Sequence, residues 1–314
     1  MKINYLNPVR KSSLCIYILL FGGASVFAQN KKPENDDNDN ANKLIISTAI
    51  GNNPYKIENS KGSNSSGTYL KPGIALVFHN GFEISAYTYA LMGLSSHGLF
   101  EYDFTPEYSY DKGKAFSFDL SYTRYVFNSN SNIESSPLKN ELYTGLNYNN
   151  FWIQPGLAFD FAFGNYVDST GQQFFSSDVA AIFSIKHPFD VSPFLTGNGD
   201  LNLTPSIDLV SGTDKFIRSF GSARFVNRIG GSSKIIKKKK SVGAAGVGGG
   251  NTKLYTESFT SNQAMFLPRV VEADIDIDYT IGKFGFEPEY SYDMGLAKGE
   301  SNVSYFLATL SFAF

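Results

Sequence analysis

Thiols are nearly absent from this chain, which has a single cysteine, Cys15, inside its N-terminal segment. If that segment is removed, a disulfide framework, a thiolate metal site and a cysteine nucleophile are all excluded. Charge is also sparse. Charged residues make up 18% of the sequence, against about 25% in an ordinary soluble domain. Loss of Lys2, Arg10 and Lys11 on processing leaves 24 basic residues against 29 acidic ones, a net of −5. That is too mild a balance to call for a nucleic-acid partner. No apolar run of about 18 residues follows residue 28, so no spanning helix is expected. Histidines number three, His79, His97 and His187, and none falls in a serine or carboxylate constellation. The chain is therefore expected not to be an enzyme. Neither a phosphate-cradling glycine loop nor a His/Cys metal spacing occurs, so no cofactor is expected. GVGGG (246–250) follows no strand-like segment and reads as a flexible linker.

Aromatic residues, by contrast, are abundant, with 28 Phe and 19 Tyr. A chain rich in apolar side chains but without continuous apolar runs must distribute them by alternation. Before that pattern begins, residues 1–28 have the three parts of a secretory signal. Lys2, Arg10 and Lys11 give a positive start, and SLCIYILLFGGASVF (13–27) is a short apolar stretch. Val26 and Ala28 occupy the small-residue positions before a cut between Ala28 and Gln29. Residues 29–42, polar and charged, read as a flexible periplasmic leader.

From residue 43 to 314 the chain repeatedly shows a period of two. In FEYDFTPEYSYD (100–111) the even positions Phe100, Tyr102, Phe104, Pro106, Tyr108 and Tyr110 are apolar or aromatic, and the odd positions are polar. In FWIQPGLAFDFAFG (151–164), Phe151, Ile153, Pro155, Leu157, Phe159, Phe161 and Phe163 share one face. VVEADIDIDYT (270–280) sets Val271, Ala273, Ile275, Ile277 and Tyr279 against Glu272, Asp274, Asp276 and Asp278. A soluble antiparallel sheet with one wet face also alternates. The aromatic richness of the apolar faces and segments of roughly 10 to 16 residues favour spanning strands, which need ~9–11 tilted residues.

Twelve such segments are expected, near 43–51, 68–79, 81–93, 99–111, 113–128, 139–150, 151–164, 174–187, 200–211, 262–281, 283–293 and 302–314. The fold expected is all-β: a transmembrane antiparallel up-and-down barrel of twelve strands, with ten or fourteen as alternatives. HNG (79–81), DKGK (111–114), YNN (148–150) and GK (282–283) supply tight connections on one side. The connection 188–199 is longer than its side requires. Prolines recur inside the strand-like segments and are expected at bulges or near an interface. The C-terminus carries Leu310, Phe312 and Phe314 on one face, a pattern that resembles the strand read by the barrel-insertion machinery.

If apolar residues face lipid, the interior receives Glu101, Asp103, Glu107, Asp160, Glu272, Asp274, Asp276, Asp278, Glu287 and Glu289, with Glu83, Glu141 and Asp208. Lys71 and Lys186 are the clearest bases among them. Closely spaced carboxylates need water and cations, or bases from elsewhere. The connection 212–261 is basic and Gly-rich and holds the run Lys237, Lys238, Lys239 and Lys240. It reads as a solvated extracellular loop, with two alternatives: an inward fold against the acidic wall, or contact with lipopolysaccharide phosphates.

Together the signal, the proline-bearing Tyr/Phe strands and the terminal Phe resemble the small outer-membrane β-barrel proteins of Bacteroidetes-like bacteria. The resemblance implies a Gram-negative-type outer-membrane location, with membrane lipid, lipopolysaccharide and the insertion machinery as partners. A passive pore for small solutes with an acidic, cation-preferring lumen is the expected function. The alternative is a non-conducting barrel whose long loops bind a partner.

Overall fold

The structure, a computed structural model, describes residues 42–53, 67–92, 98–110, 115–128, 138–167, 170–191, 199–213, 266–296 and 302–314. The export segment 1–28, the leader as far as residue 41, His97 and the run Lys237 to Lys240 lie outside the described residues.

Each alternating segment forms a strand. In chain order they are β1 (Lys43–Asn53), β2 (Gly67–Val77), β3 (Phe82–Met92), β4 (Gly98–Tyr110), β5 (Phe116–Phe127), β6 (Asn140–Tyr148) and β7 (Gln154–Val167). There follow β8 (Gln173–Lys186), β9 (Phe189–Asp190), β10 (Gly199–Gly212), β11 (Leu267–Ile281), β12 (Phe284–Gly295) and β13 (Val303–Ala313). Twelve are long and match the twelve expected segments. The thirteenth, β9, has two residues and lies in the connection whose length did not fit. It pairs with Asn202 and Leu203 of β10, where β8 has already ended.

All pairings of the long strands are antiparallel; β10 joins β11 across the longest connection, and β1 joins β13 to close the ring. β1 pairs with β13 from Ile45↔Ala313 to Gly51↔Leu307, and β10 pairs with β11 from Gly199↔Ile281 to Gly212↔Leu267. A closed sheet leaves no unpaired edge, which is the condition for crossing lipid with strands. Outward positions carry large apolar side chains on every long strand, among them Ile74, Phe104, Leu120, Leu146, Phe159, Phe183, Ile275, Tyr290 and Leu310.

One end of the barrel carries short turns; we call it the turn end, and the opposite end the loop end. Gly81 (φ 93) and Gly282 (φ 59) adopt the left-handed backbone that two of these turns require. At Gly81 a Cβ would also stand 2.1 Å from the Ser109 carbonyl oxygen. The third described turn corrects the expected boundary. Tyr148 ends β6 and Gln154 begins β7, so Phe151, Trp152 and Ile153 belong to the turn and not to the outer face of β7. Asn149 and Asn150 favour turn backbone, and Pro155 has no N–H to extend the ladder.

The strand prolines do not sit at the bulges that were one of the two expectations for them. Pro72, Pro106 and Pro288 sit in stretches of ladder whose register does not shift; in the β3–β4 ladder the one shift lies at Tyr89/Ala90, away from Pro106. Each keeps one neighbour, as in Thr48↔Pro72, Ile84↔Pro106 and Pro288↔Ala308. Pairing lapses only on the other side, where it skips from Leu70↔Ala90 to Gly73↔Tyr87, from Phe104↔Arg124 to Glu107↔Ser121, and from Asp276↔Glu289 to Tyr279↔Phe286. A missing N–H removes one ladder bond, and a sheet can lose it without a bulge.

True bulges occur elsewhere, and each reverses a face. Pairing jumps from Tyr89↔Glu101 to Ala90↔Leu99, leaving Phe100 as the extra residue. Phe100, outward by simple parity, is turned inward and buried. The second bulge, opposite Val210/Ser211, does the same to Arg269. An extra residue re-aims the side chains around it.

Candidate functional site in the barrel interior

The acidic residues that alternation assigns to the inner face are found there. β4 contributes Glu101, Asp103 and Glu107, β7 Asp160, β11 Glu272, Asp274, Asp276 and Asp278, and β12 Glu287 and Glu289. Glu107 and Asp278 are half-buried, and the others are buried. Glu83, Glu141 and Asp208 join them, as do Lys71 and Lys186. Sequence reasoning missed further inward charges, among them Asp119, Asp178, Asp293 and Arg269. Asp178 on β8 and Asp293 on β12 were legible from the same parity. Arg269 was not, because its orientation depends on the bulge; its Nε donates to the Gly212 carbonyl at 3.3 Å.

Strand register converts this list into rows. Asp208, Glu272 and Asp293 stand directly opposite one another across β10, β11 and β12, and Asp276 stands opposite Glu289. Like charges in direct cross-strand contact repel. Hydroxyls soften the wall: the Tyr305 hydroxyl donates to Glu272 at 2.7 Å, the Ser206 hydroxyl to Asp274 at 3.3 Å, and the Tyr125 hydroxyl to Glu141 at 2.6 Å.

The interior is not uniformly polar, which corrects the simple assignment of apolar residues to lipid. One buried cluster joins Ala49, Tyr69, Tyr89, Phe100, Tyr305 and Leu307 across β13, β1, β2, β3 and β4. A second joins Tyr125, Leu138, Tyr143, Ala158, Ala162, Ala180, Ile182, Val210 and Val270 on the remaining wall. Most of these residues lie in the loop-end half of their strands. The interior therefore has an apolar, tyrosine-rich collar toward the loop end, with carboxylates beside and beyond it.

Glycines in the wall make room for the rings. A Cβ on Gly51 would stand 2.7 Å from the Tyr69 hydroxyl oxygen, and one on Gly73 would stand 2.1 Å from Cδ1 of Tyr87. Each tyrosine thus lies over a bare stretch of backbone on the neighbouring strand. The Tyr87 ring carries the Lys71 ammonium, whose Nζ is 4.2 Å from its centroid.

Neither described histidine enters the interior. His79 sits in the β2–β3 turn, where its backbone N–H donates to the Asn42 side chain at 3.2 Å. His187 packs against Trp152 with tilted rings, centroids 4.7 Å apart, and makes a T-shaped pair with Phe189 at 4.3 Å between centroids. Among the described residues no group of three or more His, Cys, Asp or Glu is arranged to hold a metal ion.

The C-terminal strand ends at the closure of the ring. Phe312 packs edge-on against Phe284 and Phe314, at 4.7 Å in each case. The Phe314 N–H donates to the Leu44 carbonyl at 2.8 Å. Leu310 and Phe314 are exposed on the outside.

No family model and no curated protein matches the chain. Among solved structures it is similar to the NanC porin, with 10% identity over 86% of this chain and 98% of that chain, at a TM-score of 0.42. It is also similar to the KdgM porin, with 10% identity over 86% and 99%, at 0.42. The COG4313 outer membrane channel from Pseudomonas putida F1 matches with 9% identity over 91% and 100%, at 0.48. These neighbours are outer-membrane barrels. At such scores the twelve-stranded closed fold rests on its own strand pairing and not on the likeness.

Proposed function

We propose that the chain is an outer-membrane barrel whose interior is a narrow, cation-preferring route for small solutes. One observation carries this reading: the closed ring directs rows of carboxylates inward, with Lys71, Lys186 and Arg269 as the buried bases among the described residues. Rings of fixed negative charge favour cations over anions. The apolar outer face and sealed backbone suit a bilayer. The signal-like residues 1–28 supply an export address, with cleavage between Ala28 and Gln29. Leu310, Phe312 and Phe314 fit recognition by the insertion machinery, and Lys237 to Lys240 fit a solvated loop near lipopolysaccharide.

Inward side chains are enclosed so completely that the route is narrow: Asp208 and Glu272 have 0% of their surface exposed. That same enclosure favours the second reading, a barrel that conducts nothing and serves as a surface or structural element. Planar-bilayer recording in a potassium chloride gradient separates the two. A reversal potential toward potassium supports the conduit. Silence at every salt concentration removes it and leaves the second reading.

A further inference from the structure

Lys71 is placed differently from the carboxylates around it. On β2 it is the next inward residue after Tyr69, at the edge of the apolar collar. Its cross-strand partner on β1 is Ala49, too small to cover it. On the other side its ladder with β3 lapses beside Pro72, between Leu70↔Ala90 and Gly73↔Tyr87. The buried ammonium lies 4.2 Å from the Tyr87 ring centroid and 5.7 Å from that of Tyr89. Tyr87 occupies that position because Gly73 leaves the wall bare beneath it.

Buried carboxylates stand on the inner faces of two other strands, Asp103 and Glu101 on β4, and Glu289 and Glu287 on β12. In the ring, β4 and β12 lie on opposite sides of β2. Acidic walls therefore flank the lysine's strand on both sides. Aromatic faces and carboxylates are the two groups that attract a cation. A lysine offers a compact point charge on a flexible stem.

We propose, resting on the reading of the interior as a cation route, that Lys71 is its specificity-determining residue. It acts as a tethered ammonium held over the Tyr87 face, between the acidic inner walls of β4 and β12, and so limits the passage of small cations.

The test uses the whole mature protein, folded into detergent and reconstituted in planar bilayers bathed in potassium chloride. Heat-modifiable gel migration and β-type circular dichroism verify folding of each variant. Lys71→Met is expected to raise unit conductance about fivefold, the scale of removing one unit charge from a partly wet interior. Its reversal potential should move further toward potassium. Lys71→Arg, which keeps the charge, should stay near the parent value. Methylammonium added to the bath should block Lys71→Met more strongly than the parent, because it replaces the lost head group.

A silent parent beside a conducting Lys71→Met protein overturns the proposal, because the parent is then no route for Lys71 to select in. A Lys71→Met protein with the parent's conductance and selectivity overturns it and leaves the conduit standing. Silence from both proteins at every salt overturns the conduit and the proposal together. If the methionine variant does not fold, Lys71→Gln keeps a polar head group and is read by the same criteria.

Discussion

Glu272 on β11 faces Asp208 on β10 directly across the ladder, and both side chains are wholly enclosed within the barrel. Asp293 stands opposite Glu272 on its other side, so one carboxylate is flanked by two. The Tyr305 hydroxyl, two strands away, donates to it. Glu272→Gln removes a repelled charge and keeps an oxygen for Tyr305. It should stabilise the barrel by about 0.5–1 kcal/mol in urea unfolding from lipid vesicles. Glu272→Ala should instead lose about 1–3 kcal/mol, because the buried Tyr305 hydroxyl loses its acceptor. Destabilisation by the glutamine would show that the row is held by a counter-cation and needs its full charge.

Gly73 and Tyr87 form a second dependent pair. A methyl at Gly73 meets the Tyr87 ring and not empty space. Gly73→Ala should therefore cost about 1–3 kcal/mol, the usual cost of overpacking. Combining it with Tyr87→Leu should recover part of the loss, a non-additivity expected of residues in contact. Additive losses from the two changes would rule out the ring-over-glycine packing as their link.

Trp152 is the sole tryptophan of the chain and is 69% exposed in the β6–β7 turn, beside His187. Tryptophan favours the level of the lipid head groups. Fluorescence of the reconstituted protein should be quenched by brominated phospholipid and poorly by iodide in the water phase. The opposite preference would take the turn end out of the membrane surface and count against the spanning reading.

Phe314 contributes one terminal hydrogen bond and one ring contact to the closure. Its removal should cost the purified barrel little, on the order of 1 kcal/mol. If the C-terminal face is read during assembly, deletion of Phe314 should lower the yield of inserted barrel in cells while refolding in detergent continues. Equal yields would show that Phe312 and Leu310 suffice or that the terminus is not read.

Alternation in segments such as FEYDFTPEYSYD and VVEADIDIDYT is a property of neighbouring residues along one chain. It determined the strand count, the outer and inner faces, and the inward carboxylates without knowledge of any partner strand. The same local rule failed at Phe100 and Arg269, because a bulge exists only relative to the strand opposite. It failed at Phe151 and Ile153 because a turn ends a strand whatever period the side chains continue.

Tertiary structure alone decided the rest. Register set Asp208, Glu272 and Asp293 in one row and laid Tyr87 over Gly73. A period of two tells a residue which side of the wall it faces. Only the closure of twelve strands into a ring decides what it meets on the inside.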